Sequence, residues 1–237
     1  MLGGSGALGG TVCRSLAARG AQVAFTWHTG EDEAQQLSKE MPDSPALQLD
    51  VRRIDDLERT IDEAARALGG IDAFVHCIGV STGMDMRNTR AMEWIDETAW
   101  DDIIKVNVKS VFFACRRLLP IMRSNAVGNI VIIGSIDGVK PLPVPVHYAA
   151  SKAALGGITR AMAKELGGDG VLVNMVAPGI MEGGLSRTLP QSQIEEYEKF
   201  CGLKRVGRFA EIANLITWLA LENTYITGQT IVVDGAL

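Results

Sequence analysis

Aromatic residues make up only 5% of the 237 residues, and the chain holds four cysteines and three histidines. Cys13, Cys77, Cys115 and Cys201 are widely spaced with no Cys-x-x-Cys pair, which argues against a disulfide framework or a zinc site, so no metal is expected. They read as small core residues. No stretch has the roughly eighteen uninterrupted apolar residues of a membrane span, so no membrane partner is expected. A net charge of −5 leaves no basic footprint for nucleic acid. The opening Met1-Leu-Gly-Gly-Ser-Gly has neither a basic n-region nor an apolar h-region, which makes the cytoplasm the expected location. What is present is a 47% apolar content over a length that suits one α/β domain, expected to run from 1 to 237.

The chemistry concentrates in one stretch, Ser135 to Lys152, where Tyr148 and Lys152 are four residues apart. On a helix that spacing puts a phenol and an ammonium on one face. A Tyr hydroxyl titrates near 10, so it is a poor acid or base at neutral pH unless a cation stabilises the phenolate, a role open to Lys152. The apolar run Asn129-Ile-Val-Ile-Ile-Gly134 reads as a strand, and Ser135 lies just past its carboxyl end, where open α/β sheets bind ligands. A lone Tyr-x-x-x-Lys more often marks an ordinary helix surface. The serine thirteen residues upstream, at a strand end, makes a catalytic group the better reading.

Ser135, Tyr148 and Lys152 resemble the catalytic residues of the short-chain dehydrogenase/reductase family, and Asn107, in Val106-Asn107-Val108-Lys109-Ser110, matches the asparagine that the family places upstream. The resemblance implies that Tyr148 is the general acid or base, that Lys152 lowers its pKa and holds the nicotinamide ribose, and that Ser135 hydrogen-bonds the carbonyl. Asn107 would hold a water that extends the proton relay.

In chain order, Leu2 to Gly10 is a glycine-rich turn running into a helix over Thr11 to Arg19. Such a turn lets the backbone approach a pyrophosphate seated on the helix N-terminus. The resemblance assigns cofactor contacts here to Gly3, Ser5, Leu8 and Gly9, although Leu2 and Ala7 depart from the family's Thr-Gly-x-x-x-Gly-x-Gly fingerprint. The strand that should feed this turn is reduced to Met1 and Leu2, so the first strand is expected to be truncated. Gln22 to Trp27 reads as the next strand. It ends without a carboxylate before Glu31, which favours NADP(H) over NAD(H), with Thr26 and His28 as the expected 2′-phosphate contacts, although His28 as a mere surface residue is an equal reading. Gly6 stands where many NADP-binding relatives carry a cation.

A helix over Glu31 to Glu40 leads to a strand over Ala46 to Val51, whose Asp50 and Val51 resemble the family's adenine contact. Asp55 to Leu68 is an amphipathic helix, with Ile54, Leu57, Ile61, Ala64, Ala65 and Leu68 on one stripe. The strand Ile71 to Gly79 carries His76-Cys77-Ile78-Gly79 where relatives usually have Asn-Asn-Ala-Gly. His76 reads as structural, and Gly79 keeps a close approach to cofactor. The connection Ser81 to Trp100, with Met84, Met86, Met92 and Trp94, is expected at the active-site rim or an interface. One long helix is predicted from Trp100 to Arg123, followed by the catalytic helix Tyr148 to Leu166. After a strand over Val171 to Val176, Pro178, Gly179 and Ile180 match the family's nicotinamide turn. A mobile substrate lid is expected at about 181 to 204. A helix over Phe209 to Leu221 and a strand over Thr227 to Gly235 close the chain.

Alternating strands and helices at this spacing predict a doubly wound Rossmann-type parallel sheet with helices on both faces. The resemblance implies an NADPH-dependent reduction of a keto group, most closely that of 3-oxoacyl-thioester reductases. A reductase of a free small-molecule ketone and a non-catalytic nucleotide-binding member are the alternatives. Enoyl reductases share a stretch like Val75-His76-Cys77-Ile78 but space Tyr and Lys wider than four. Asp169 stands where carrier-dependent reductases tend to have an Arg, which disfavours an acidic carrier. Wide apolar stripes on the helices around Asn107 and Tyr148, together with the resemblance, imply a homotetramer.

Overall fold

The computed structural model describes residues 1–81, 91–125 and 128–237. Met84 and Met86 therefore lie outside the described residues, whereas Met92 and Trp94 are well exposed. The described elements are α1 (Ala7–Ala18), β1 (Phe25–Trp27), α2 (Glu31–Glu40), β2 (Ala46–Gln48), α3 (Ile54–Leu68), β3 (Ala73–His76), α4 (Glu97–Ile104), α5 (Ser110–Asn125), β4 (Gly128–Ile133), α6 (Val146–Leu166), β5 (Val171–Pro178), α7 (Gln191–Phe200), α8 (Phe209–Leu221) and β6 (Thr230–Val233).

All strand pairs are parallel, with β1 beside β2 and the order β3-β4-β5-β6 in the larger group. Met1 and Leu2 join the two groups. Leu2 N donates to Val75 O at 2.9 Å, Cys77 N to Leu2 O at 3.0 Å and Thr26 N to Met1 O at 3.0 Å. These two residues lie between β1 and β3 and bridge the two groups. β1 begins at Phe25 rather than Gln22, and β3 at Ala73 rather than Ile71. A cavity of about 340 Å³ is bordered by Gln22 to Ala24 and by Ile71 to Phe74.

Helices cover both faces. On one, Leu57 and Ile61 of α3, Val111 and Leu118 of α5, and Leu155 of α6 pack on Ile130 and Ile132. On the other, Val12 and Leu16 of α1, Leu37 of α2, and Ile212 and Ile216 of α8 pack on Val131 and Ile133. β4 is buried along its whole length, as a central parallel strand must be, and so reads as a continuous apolar run.

The predicted long helix from Trp100 to Arg123 is instead two helices joined by a π-helical turn over Lys105–Lys109. Such turns insert one residue into the hydrogen-bond ladder and are common at functional positions. Here the turn carries Asn107. Pro120 lies inside α5 rather than ending it.

Candidate active site

Tyr148 and Lys152 stand one turn apart on α6, and both are buried. Ser135 caps a short 3₁₀ turn, Ile136–Gly138, just past the end of β4. All three line a cavity of about 570 Å³ at the carboxyl ends of β3, β4 and β5. That is where a doubly wound sheet opens a crevice at its switch point.

Lys152 Nζ lies 5.8 Å from the Tyr148 ring centre and 3.5 Å from Ile133 O. Burial pulls the ammonium down to about 8, opposed by Cys77 and Asp137. Burial likewise pushes the Tyr148 phenol well above its ordinary value; Asp137 adds to the rise, and hydrogen bonding with Ser135 opposes it. The Lys152 ammonium, 5.8 Å from the ring centre, is not among the groups that shift the phenol, and burial dominates it. In this state Tyr148 holds its proton, the form a general acid needs.

Asn107 is buried in the π turn, and its side chain makes three hydrogen bonds. Its Oδ1 accepts from Val80 N at 2.9 Å, and its Nδ2 donates to Val80 O and to Ser151 Oγ, each at 3.0 Å. The amide ties the chain just beyond β3 to α6, with both of its donor hydrogens used and one oxygen lone pair still open. Gly79 sits between the two, where an added Cβ would lie 2.8 Å from Lys152 Nζ.

The glycine turn forms the other end of the cavity, through Gly6, Ala7, Leu8 and Gly9. A Cβ on Gly9 would lie 2.0 Å from Gly3 O, so only glycine permits this tight turn ahead of α1. Pro178, Gly179 and Ile180 line the cavity from the end of β5, and the hydroxyl of Tyr197 hangs over Gly179. Tyr197 donates to Asp234 O at 2.6 Å, and thereby ties α7, the middle of the expected lid, to the chain beyond β6.

The remaining expected cofactor contacts lie outside the cavity. Thr26 is buried and its Oγ1 accepts from Gly3 N at 3.0 Å, so the hydroxyl holds the glycine turn rather than facing a ribose phosphate. His28 is exposed, 3.7 Å from Asp50 Oδ2. Asp50 is engaged by Arg52 Nε at 2.9 Å. Burial raises the Asp50 carboxyl, but the Arg52 hydrogen bonds outweigh it and hold the group below its ordinary range. Val51 is buried. Ser5 Oγ and Glu33 Oε2 converge on Gly30, lying 3.3 and 3.1 Å from where a Cβ there would stand. Glu33 thus brings a carboxylate near the glycine turn from α2, although none precedes Glu31 in the strand itself.

Two cavity residues escaped the reading of the sequence. Asp137 Oδ2 accepts the Ser135 hydroxyl at 2.7 Å, and its signal was present: it is the one carboxylate between Ser135 and Tyr148. Tyr197 left no such signal, because only the packing of α7 over Gly179 brings it in. Among the described residues no His, Cys, Asp and Glu group could hold a metal ion, and no helix is long and apolar enough to cross a membrane.

Comparison with known proteins agrees with this geometry. A family model described as enoyl-(acyl carrier protein) reductase matches residues 5–237. The 3-oxoacyl-[acyl-carrier-protein] reductase FabG of Escherichia coli (strain K12) is 33% identical over 237 residues, covering 99% of this chain and 94% of the relative. FabG of Staphylococcus epidermidis is 31% identical over 240 residues, covering 99% and 96%. Among solved structures, a blue fluorescent protein from a metagenomic library, in complex with NADPH, superposes with a TM-score of 0.90 at 27% identity, covering 99% of this chain and 95% of that one. A short-chain dehydrogenase/reductase from Serratia marcescens gives 0.88 at 28%, with the same coverage. With the whole length matched and the sheet, the glycine turn and the Ser135, Tyr148 and Lys152 cluster in place, the chain belongs to the short-chain dehydrogenase/reductase family.

Proposed function

We propose that this oxidoreductase uses NADPH to reduce a ketone to a secondary alcohol, and that the ketone is a 3-oxoacyl thioester. The observation that carries this reading is the convergence of Ser135 and a protonated, buried Tyr148 in a cavity whose outer wall is apolar, including Leu142, Val144, Met181, Leu185 and Phe200. A bound nicotinamide supplies the hydride that reaches the carbonyl carbon. The residues fit such a cofactor: the Gly3–Gly9 contact leaves a cradle that any Cβ would fill, at the start of α1. Tyr148 passes its proton to the carbonyl oxygen, and Ser135 orients that oxygen. Lys152, held between Gly79 and Tyr148, is placed for the ribose and stabilises the phenolate once it forms.

The four-residue spacing of Tyr148 and Lys152 favours carbonyl over enoyl reduction. The expected repulsion of an acidic carrier by Asp169 is weakened, because Arg123 Nε donates to its Oδ2 at 2.7 Å. A free small-molecule ketone is the second reading for the substrate. NADH is the second reading for the cofactor, favoured by Glu33 beside Ser5. Titration with NADPH and NADH by nicotinamide fluorescence, followed by assay of acetoacetyl-CoA, a 3-oxoacyl carrier protein and free ketones, decides among these. No turnover with any ketone, despite cofactor binding, would leave only the non-catalytic member.

Assembly as a two-fold symmetric homotetramer belongs to the same proposal. The single chain buries much of the apolar stripe that suggested it, including Ile103, Val111, Ala114, Cys115 and Leu118. Phe112 of α5 and Val146 of α6 remain about half exposed, and Gly157 and Ala161 of α6 are exposed with them. These are the residues left for a partner to cover.

A further inference from the structure

In the ligand-free chain the Ser135 hydroxyl is already spent. Its oxygen lies 2.7 Å from Asp137 Oδ2 while also accepting from Asp137 N at 3.3 Å. With the carboxylate ionised, the only place for the serine hydrogen along that short contact is Asp137. A serine in that state has no hydrogen to offer a substrate oxygen. With the carboxyl protonated the direction reverses: Asp137 donates to Ser135 Oγ, and the serine hydrogen is released towards the cavity.

We propose that Asp137 is a positioning residue whose protonation state decides whether Ser135 can donate a hydrogen bond to the reacting carbonyl. This inference rests on the reading of Ser135 as the group that orients the carbonyl oxygen. The placement is rigid, because the turn carrying Asp137 is pressed against α6. A Cβ on the next residue, Gly138, would lie 2.4 Å from the Lys152 backbone carbon. Burial raises the Asp137 carboxyl above its ordinary range, against the opposing pull of the Ser135 hydrogen bond and the Lys152 ammonium. The titratable groups facing it are Tyr148 and Lys152 of α6, while Glu196 of α7 lines the same cavity. Lys140, nearby in sequence, is bound to Asp234. The exchange takes up one proton, which stays on the Asp137 carboxyl and is donated to Ser135 Oγ, while the serine's own hydrogen turns from the carboxyl side to the substrate side.

The test is the pH profile of kcat/KM for acetoacetyl-CoA with NADPH, measured below the Lys152 titration near 8, for the wild type and for Asp137→Asn, whose amide donates to Ser135 at every pH. The wild type is expected to fall about tenfold for each pH unit above the carboxyl titration. Asp137→Asn is expected to lose that fall and to exceed the wild type at pH 7.5, with the KM for NADPH unchanged. Asp137→Leu, which frees Ser135 without orienting it, should also lose the fall but at lower kcat. An Asn variant that keeps the wild-type fall, or that matches the Leu variant in kcat, overturns the proposal. A readout independent of turnover is the infrared band of the protonated Asp137 carboxyl, identified by its loss in Asp137→Asn. Ser135→Ala should raise the pH at which that band disappears, and an unmoved band refutes the Ser135–Asp137 coupling. If acetoacetyl-CoA is not reduced at all, the carbonyl-reductase reading fails for this substrate while the infrared titration still judges the pair.

Discussion

His76 Nε2 lies 2.9 Å from Ser110 Oγ, and both side chains are fully buried, so a polar tie joins the end of β3 to the first residue of α5. The serine hydroxyl also donates to Val106 O across the π turn. Its hydrogen is thereby used, so Ser110 accepts from His76, which must carry its proton on Nε2. Burial, helped by the Lys152 ammonium, drives the imidazole down to about 3 from an ordinary 6.5. The neutral ring is therefore the folded form, as the structural reading of His76 requires.

This gives the first prediction, on acid stability. A histidine with a depressed folded pKa contributes its full stability above the unfolded value of 6.5 and loses it as the pH falls towards 3. The loss at pH 4 is at most roughly 3 kcal/mol for this one group. Denaturant unfolding of the wild type should weaken steadily between pH 6.5 and 4, and His76→Gln, which keeps a donor for Ser110 but does not titrate, should weaken less. Equal slopes in the two proteins would show that His76 does not govern the acid limb.

The second concerns the phenol. Tyr148→Phe removes the proton donor and leaves the ring that packs beneath the cavity, so ketone reduction should drop by about 10²-fold or more. Cofactor affinity, set by the glycine turn and by Lys152, should stay within a few-fold. Both are read from one set of steady-state assays and fluorescence titrations, and retained turnover would remove Tyr148 from the chemistry.

The third concerns the cofactor edge. Gly9→Ala places a methyl against Gly3 O, so NADPH affinity should fall by about tenfold or more while the far-ultraviolet circular dichroism is preserved. Glu33→Gln removes the carboxylate beside Ser5 and should shift the kcat/KM ratio towards NADPH, because a 2′-phosphate there no longer meets a like charge. An unchanged ratio would place Glu33 outside the ribose site.

The fourth concerns assembly. Light scattering at micromolar concentration should give four times the 25.4 kDa chain mass. Phe112→Asp, at an exposed position of α5, should lower that mass without unfolding the chain. An active wild-type monomer would show that the apolar stripes serve the core alone.

The sequence by itself determined the alternation of strands and helices, the placement of Ser135 at a strand end and the shared face of Tyr148 and Lys152. These follow from local periodicity, which any segment carries regardless of its neighbours. Only the tertiary structure decided where the polar groups spend their bonds. Thr26 turns inward to Gly3 rather than outward to a phosphate, the Asn107 amide is taken by Val80 and Ser151, and Asp137 captures the Ser135 hydroxyl. It alone shows that the Tyr148 phenol is buried, which raises its pKa. Hydrogen-bond partners and desolvation depend on groups far apart in the chain. No local pattern of residue types encodes them.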